Sequence, residues 1–315
     1  MSYTGFFVLA LLTLILAVLS VLEAFSNHPL LFVFQLVILL GITAGIALDG
    51  IILVTAAPEE ISWSEDLLDF LAVAAGAVLT FIMSVELGTG VVIASAAVGL
   101  AGSILFKRQA PAIFCGSFAG MSSPALLSLV PGMLIAALLA GLLYVAVKGS
   151  FAGIGGKLGT TAYAGCLIAA VMLSCRPLVL PVPGWDIGWI IMLYAAAGAS
   201  VTYSLNHRMQ VGPVTASAAV GLAAGILLPL IHGEVYGELF ALMVFCASFA
   251  GMAGRKQAGH TAFMVIAGGI CGLLFIYSMP YLGGAGGKLG TIAFASVLFI
   301  RALRTYTARF YAADT

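Results

Sequence analysis

The segment GGKLGT occurs twice in the chain and contains the residues best suited to binding a solute. GGKLGTTAYA occupies 155–164 and GGKLGTIAFA occupies 286–295, with eight of ten positions identical. In both copies glycines lead into an apolar stretch that begins at Lys157 or Lys288. Glycine permits unwound backbone in a membrane protein where that backbone is buried or lines a cavity. The helix that follows offers free amides and partial positive charge at its start, so the segment predicts a site for an anionic or polar solute.

The two lysines allow two interpretations. A lysine at a helix N-terminus opposes the helix dipole, so a negative group should lie nearby. The alternative is a lysine that snorkels to the membrane edge. Lys157 suits snorkelling because we expect its loop to be cytoplasmic, whereas we expect Lys288 on the outer side, against the charge bias. A lysine at both equivalent positions favours a shared binding role.

The candidate binding residues at these segments are the lysines, the glycine pair before each, and the threonine one turn into each helix. They are Lys157, Lys288, Gly155, Gly156, Gly286, Gly287, Thr160 and Thr291. The segment is not a P-loop, because leucine follows each lysine, and nucleotide binding is therefore not indicated.

Four serines in two further repeated segments are candidates to line a solute path. FCGSFAGM at 114–121 returns as FCASFAGM at 245–252, and ASAAVGLA at 94–101 returns unchanged at 216–223. The candidates are Ser95, Ser117, Ser217 and Ser248. Each hydroxyl either lines a path or bonds the backbone of its own helix, and the small neighbours indicate close helix packing.

Two carboxylates, Asp49 and Glu86, are candidates for coupling transport to protons or for pairing with a lysine. A carboxylate within a membrane costs about 2.5–3.5 kcal/mol to insert, so it is functional by default. Asp49 either ends its span or faces a cavity. Glu86 lies at the outer end of its span, where a solvated edge is the favoured interpretation.

The composition excludes several classes of protein. The chain has 315 residues, 63% of them hydrophobic and only 8% charged, with 12 basic and 12 acidic residues. A soluble domain carries about 25% charged residues. The composition excludes a soluble enzyme, a disordered chain and a nucleic-acid binder. It predicts an all-α polytopic membrane protein, which we expect in a bacterial or archaeal plasma (inner) membrane.

The hydrophobic pattern predicts about 12 transmembrane helices. The predicted spans are 5–25, 30–56, 68–86, 90–106, 110–129, 131–148, 157–175, 186–205, 212–230, 236–253, 260–282 and 288–303. The weakest region is 110–148, where prolines and serines interrupt the hydrophobic pattern and 111–123 is alternatively a re-entrant half-helix. Twelve spans place all but one of the basic loop residues on one side, which predicts cytoplasmic N- and C-termini. The exception is Arg176.

The repeated segments predict an internal duplication with inverted topology. The distance from Cys115 to Lys157 is 42 residues, and so is the distance from Cys246 to Lys288, while an insertion lengthens one loop of the second copy. The copies cover 68–175 and 186–303 with five helices each, so the second enters the membrane from the opposite side. Two N-terminal helices (1–60) stand outside the repeat as scaffold or oligomer contact, and 304–315 is a cytoplasmic C-terminal tail.

These features predict an integral membrane transporter or channel for a small polar solute, with an anion favoured, and a pseudo-symmetric site at the Gly-rich breaks between two inverted repeats. The expected partners are the solute, the lipid bilayer and, through the N-terminal helices, a second copy in a homo-oligomer. We expect no cofactor, no metal and no catalytic residue. The alternatives are an accessory, structural or lipid-handling membrane protein. An intramembrane enzyme is less favoured because HExxH and GxSxG are absent.

Overall fold

The computed structural model of the chain describes residues 2–55, 62–127 and 129–313, with the backbone alone at 2, 129–130 and 309–313. These residues are helical and contain no strand beyond an isolated β-bridge between Leu178 and Gly283. The ends of the predicted N-terminal unit (56–60) and tail (314–315) lie outside the described residues. The helices are α1 Ser2–Asn27, α2 Pro29–Thr55, α3 Trp63–Phe81, α4 Val91–Leu105, α5 Ala110–Ala119, α6 Leu129–Ala146, α7 Lys157–Met172, α8 Trp185–His207, α9 Pro213–Gly251, α10 Arg255–Ala258, α11 Thr261–Ser278 and α12 Lys288–Ala313.

Seven of the described helices are long and apolar enough to cross a membrane, which fits the predicted class of helical membrane protein. They are α1, α2, α3 with its π-helical continuation Ile82–Glu86, α8, α9, α11 and α12. The helices α4, α5, α6 and α7 are apolar but shorter. Helix α12 runs through most of the segment predicted to be a tail.

Helix α5 is much shorter than the span predicted at 110–129. Its ten residues rise about 15 Å, half the thickness of a bilayer core. The helix ends at Ala119, and Pro124 follows in a non-helical segment. Leu126 and Leu127 of that segment are buried. The irregular backbone after α5 is therefore covered by protein, which is the condition under which a membrane interior tolerates it.

The segment α9 consists of two helical arms, and the chain turns back between them at Gly233, because an added Cβ on Gly237 would meet the backbone of Pro229. The segment runs over 39 residues, with non-helical backbone at Gly233 and a proline at 229. Serine 95 and cysteine 115 are 20 residues apart, whereas their equivalents 217 and 246 are 29 apart. The additional residues of the second copy surround the turn at Gly233.

The N-terminal helix α1 connects the regions that precede the two GGKLGT helices. Near its start, the ring of Phe6 stacks on that of Phe151 with centroids 4.6 Å apart. Near its end, the hydroxyl of Tyr281 donates a hydrogen bond of 2.7 Å to the Glu23 carboxylate. Phe151 lies just before α7 and Tyr281 just before α12. Helix α1 therefore touches both Gly-rich segments at once.

Candidate functional site

Two glycine-rich segments interrupt the helices at equivalent places. The first break is residues 149–156, between α6 and α7, and the second break is residues 279–287, between α11 and α12. Each ends on a left-handed glycine, with φ of 85° at Gly156 and 90° at Gly287. A side chain would be strained in that conformation, so both helices start after a turn that requires glycine.

Each break packs against the repeated FC(G/A)SFAGM segment of the other half. Gly155 lies against the Phe–Ala carbonyls of FCASFAGM in α9, and Gly286 lies against the equivalent carbonyls of FCGSFAGM in α5. In both places an added Cβ would collide with backbone. Two matching hydrogen bonds support the same contacts. They run from the Gly254 amide to the Gly153 carbonyl (2.9 Å) and from the Ser123 amide to the Gly284 carbonyl (2.8 Å).

The helices that follow the breaks cross each other with antiparallel directions. Gly159 of α7 meets Gly290 of α12, so closely that a Cβ on either would collide with the backbone of the other. Gly156, one turn earlier in the chain, lies against Phe294, one turn later. Gly287 lies against Tyr163 in the same reversed order. The equivalent helices α7 and α12 therefore run in opposite directions through their contact.

Both lysines bind backbone carbonyls at the end of the preceding helix. The Lys157 ammonium donates to the carbonyl of Lys148 (2.9 Å), just after α6. The Lys288 ammonium donates to the carbonyls of Ser278 and Tyr281 (2.6 Å each), at the end of α11. The carbonyl end of a helix carries partial negative charge. The negative group expected beside each lysine is thus supplied at least in part by the protein.

The four candidate serines form two equivalent buried pairs. The hydroxyls of Ser95 and Ser117 are 2.9 Å apart, and those of Ser217 and Ser248 are 2.7 Å apart. All four side chains have no exposed surface. Ser117 and Ser248 also donate to the carbonyl three residues earlier in their own helices. In this conformation the serines join neighbouring helix segments and line neither of the two cavities described below.

The two threonines differ from each other in their hydrogen bonds. The Thr160 hydroxyl donates to the Gly156 carbonyl at 3.2 Å. The Thr291 hydroxyl is buried and has no hydrogen-bond partner within the described part of the chain. Both side chains have no exposed surface.

The candidate carboxylates have unlike environments. Asp49 of α2 forms a buried ion pair with Arg301 of α12, and the charge of Lys157 lies close enough to act on the same carboxylate. Glu86 is exposed at the end of the π-helical turn. The Asp49 carboxylate therefore faces protein, and α2 continues six residues beyond it to Thr55.

Three polar residues were not predicted from the sequence: Ser122, which contacts the second break, and Thr80 and Thr202, which lie against Gly120 and Gly251. The Ser122 hydroxyl accepts from the Gly286 amide (2.9 Å) and donates to the Ala119 carbonyl (2.8 Å). The hydroxyls of Thr80 and Thr202 are buried, and neither has a hydrogen-bond partner among the residues that the structure describes. Aligning the two copies through Ser95 and Ser217 also aligns these threonines, so the duplication itself contained that signal.

A cavity of about 190 Å³ adjoins the second break. Its lining includes residues 283–287, the polar residues Lys288, Ser123 and Ser278, and apolar residues such as Phe275. A second cavity of about 540 Å³ lies between the start of α4 and the middle of α9. Of the candidate site residues, those of the second break are thus beside open space.

No protein-family model, curated protein or solved structure matches the chain.

Proposed function

We propose that the chain is a carrier for a small polar or anionic solute, with its binding site at the two Gly-rich breaks between inverted repeats. The observation that carries this proposal is the antiparallel crossing of α7 and α12 at Gly159 and Gly290. Equivalent helices that cross a membrane in opposite directions are the defining property of inverted repeats, and such repeats place substrate sites at their interface near the bilayer midplane.

Contacts among the charged residues support the same topology. Arg108 pairs with Glu65, and Lys148 pairs with Asp66 (2.5 Å) and Asp69 (2.7 Å). These contacts bring together the start of α3, the end of α4 and the end of α6. This proximity supports one outward passage through α5 with the segment after it and one returning passage through α6, which is what twelve spans require.

A second group of basic residues extends this argument to the other half. Arg255 donates to the His207 carbonyl (2.8 Å) and Arg304 to the Lys256 carbonyl (2.8 Å). The Gln257 amide donates to the Ala152 carbonyl (2.7 Å), which connects this group to the first break. Basic residues collect on the cytoplasmic side of a membrane protein. On this basis we place both termini and the first break on the cytoplasmic side of a plasma membrane.

Packing at the centre favours a carrier over an open channel. Phe114, Phe118, Phe245 and Phe249 form one aromatic cluster between the halves, with Phe118 and Phe249 centroids 4.5 Å apart. The glycine crossing of α7 and α12 leaves no room for a single added Cβ. A continuous pore does not pass through these contacts. Transport would instead require the two repeats to rock, so that each break opens to its own side in turn.

Solute flux into liposomes that contain the purified protein tests this function. The panel consists of small inorganic anions, monocarboxylates and neutral polar solutes, with protein-free liposomes to subtract permeation through lipid. Lys157→Ala and Lys288→Ala should each abolish the flux while the protein stays folded. Lys256→Ala serves as the matched control, because Lys256 is exposed and lies outside both breaks. Flux that is unaffected by both break variants, or no flux of any solute, would contradict the proposal.

A further inference from the structure

The two cavities on the side of the second break adjoin each other. The cavity of about 190 Å³ around the second break and the cavity of about 540 Å³ between α4 and α9 are both lined by Val91 and Leu242. Val91 is the first residue of α4, and Leu242 lies in the part of α9 after its break. The larger cavity therefore forms an approach to the smaller one, past these two side chains.

The approach is built by the insertion that distinguishes the second half from the first. Pro229, Leu230, Glu234 and Glu238 line the larger cavity and flank the break at Gly233. In the first half, α4 and α5 are joined by the short segment 106–109. The duplicated halves are thus unlike here, and the added residues supply walls to a cavity that leads toward Lys288.

The smaller cavity combines one positive charge with an apolar wall. An ammonium group has three N–H donors, and two of those on Lys288 are used by the Ser278 and Tyr281 carbonyls. No carboxylate of the described ranges 2–55, 62–127 and 129–308 forms an ion pair with Lys288. The amides of Lys288 and Leu289 at the start of α12 add donors, whereas those of Gly290 and Thr291 already bond the Gly287 carbonyl. The facing wall is apolar and includes Met121, Leu239 and Phe275.

We propose, on the basis of the carrier function above, that this cavity binds an organic monocarboxylate with a short apolar chain. The carboxylate accepts from the remaining Lys288 donor and the first amides of α12, while the chain lies on the apolar wall. A dicarboxylate or other polyanion would leave a charge without a partner in this small cavity. A hydrated inorganic anion would leave the apolar wall without contact, and a neutral solute would leave the ammonium charge unpaired.

The two glutamates at the approach agree with this choice of ligand. Glu234 and Glu238 are exposed, so their charges are screened by solvent and salt. They repel a polyanion more strongly than a monoanion. They therefore add selectivity against multiply charged anions without blocking a single carboxylate.

The binding is measured by how far the ligand protects a single cysteine from alkylation. This assay is preferred to flux because the protonated form of a short carboxylic acid crosses lipid without any protein. Four of the five native cysteines are buried and Cys175 is not, so Cys175→Ser combined with Val91→Cys leaves position 91 as the accessible thiol. The probes are butyrate, its neutral analogue butyramide, succinate and chloride. Butyrate at about ten times its Kd should slow alkylation about tenfold, as expected from occupancy. Butyramide, succinate and chloride should not protect.

The variant Lys288→Met should remove protection by butyrate, while Lys256→Met should retain it. Circular dichroism and thermal unfolding establish that both variants are folded. Equal protection by chloride, succinate or butyramide would overturn the monocarboxylate class, and so would butyrate protection that survives Lys288→Met. Absence of protection by butyrate in a protein that transports another solute would overturn this inference while leaving the carrier function standing. Absence of flux for every solute would instead remove the carrier function itself.

Discussion

The two breaks have the same backbone but different surroundings. Both end on a left-handed glycine, pack on the other half's FC(G/A)SFAGM segment and start helices that cross at glycines. Lys157, which directly follows the first break, lies near the buried Asp49–Arg301 ion pair. Lys288, which directly follows the second break, has no ion-pair partner among the residues described and lines a cavity. Duplication has preserved the geometry of the breaks, whereas their charge and access differ.

The segments outside the shared pattern produce that difference. Asp49 belongs to α2, which stands outside the repeat, and it pairs with a residue of the second half. The cavity beside the second break is approached through residues of the insertion in α9. The breaks therefore share their backbone geometry, but each is surrounded by a different element. The first lies near the ion pair that Asp49 of α2 forms, and the second lies near the insertion in α9. Each experiment below asks whether the two breaks behave alike or differently.

The largest effect is expected from Asp49→Asn, because it leaves the Arg301 charge buried without a partner. Breaking a buried ion pair in this way costs about 3–5 kcal/mol of unfolding free energy. Denaturant unfolding of the purified protein in detergent, followed by tryptophan fluorescence, measures the loss. Lys288→Met is the comparison at the other break and should cost less, since it breaks no ion pair.

The double variant Asp49→Asn/Arg301→Gln provides the control for this prediction. Removing both charges together should restore part of the stability lost in the single variant, because no isolated buried charge remains. Losses that add fully in the double variant would show that the two side chains are not coupled.

Glycine-to-alanine changes at the helix crossing test the equivalence of the breaks. Gly159→Ala and Gly290→Ala each introduce a Cβ that would collide with backbone of the other helix, and we expect each to lower the unfolding free energy by about 1–3 kcal/mol. Thermal unfolding in detergent gives the comparison. Gly269→Ala in α11 is the matched control, since its Cβ would meet only the Met192 side chain, 4.0 Å away. A destabilisation at one crossing position alone would contradict the symmetric crossing.

A smaller effect is expected where α1 contacts the second break. Tyr281→Phe removes the hydrogen bond to the Glu23 carboxylate. We expect it to lower the unfolding free energy by about 1 kcal/mol, a small value for a bond to a charged group because the pair is partly exposed. Thermal unfolding measures the change, with Tyr306→Phe as the control at an exposed tyrosine. If the two substitutions have equal effects, α1 does not stabilise the second break through this bond.

Local features of the sequence predicted much of the helical framework. Apolar runs located helical segments, and the repeated GGKLGT segment identified two positions with matching backbone geometry. The loop predicted near His232, Glu234 and Glu238 coincides with the turn at Gly233 between the two arms of α9. The sequence did not predict how short that turn is, since Gly233 is the one residue within Pro213–Gly251 with non-helical backbone.

The contacts that define the site were harder to predict, because they join distant parts of the chain. Asp49 and Arg301 are 252 positions apart, and no local pattern pairs them. The sequence identified both lysines as candidates but not their acceptors, since backbone carbonyls carry no signal in residue type. The sequence left open whether each serine hydroxyl bonds its own helix or a neighbouring one. In the structure Ser117 and Ser248 do both, because α4 packs on α5 and the two arms of α9 pack on each other.

Sidedness labelling of single cysteines tests the inverted topology most directly. In a Cys175→Ser background, cysteine replaces exposed residues at Lys107 and at Val235, which lie between the equivalent helix pairs of the two halves. Met209 and Asp186, also exposed, serve as a reference for each side. Lys107→Cys and Met209→Cys should react with a membrane-impermeant maleimide from one side of the membrane, and Val235→Cys and Asp186→Cys from the other. Labelling of positions 107 and 235 from the same side would contradict the inverted repeat and, with it, the proposed carrier mechanism.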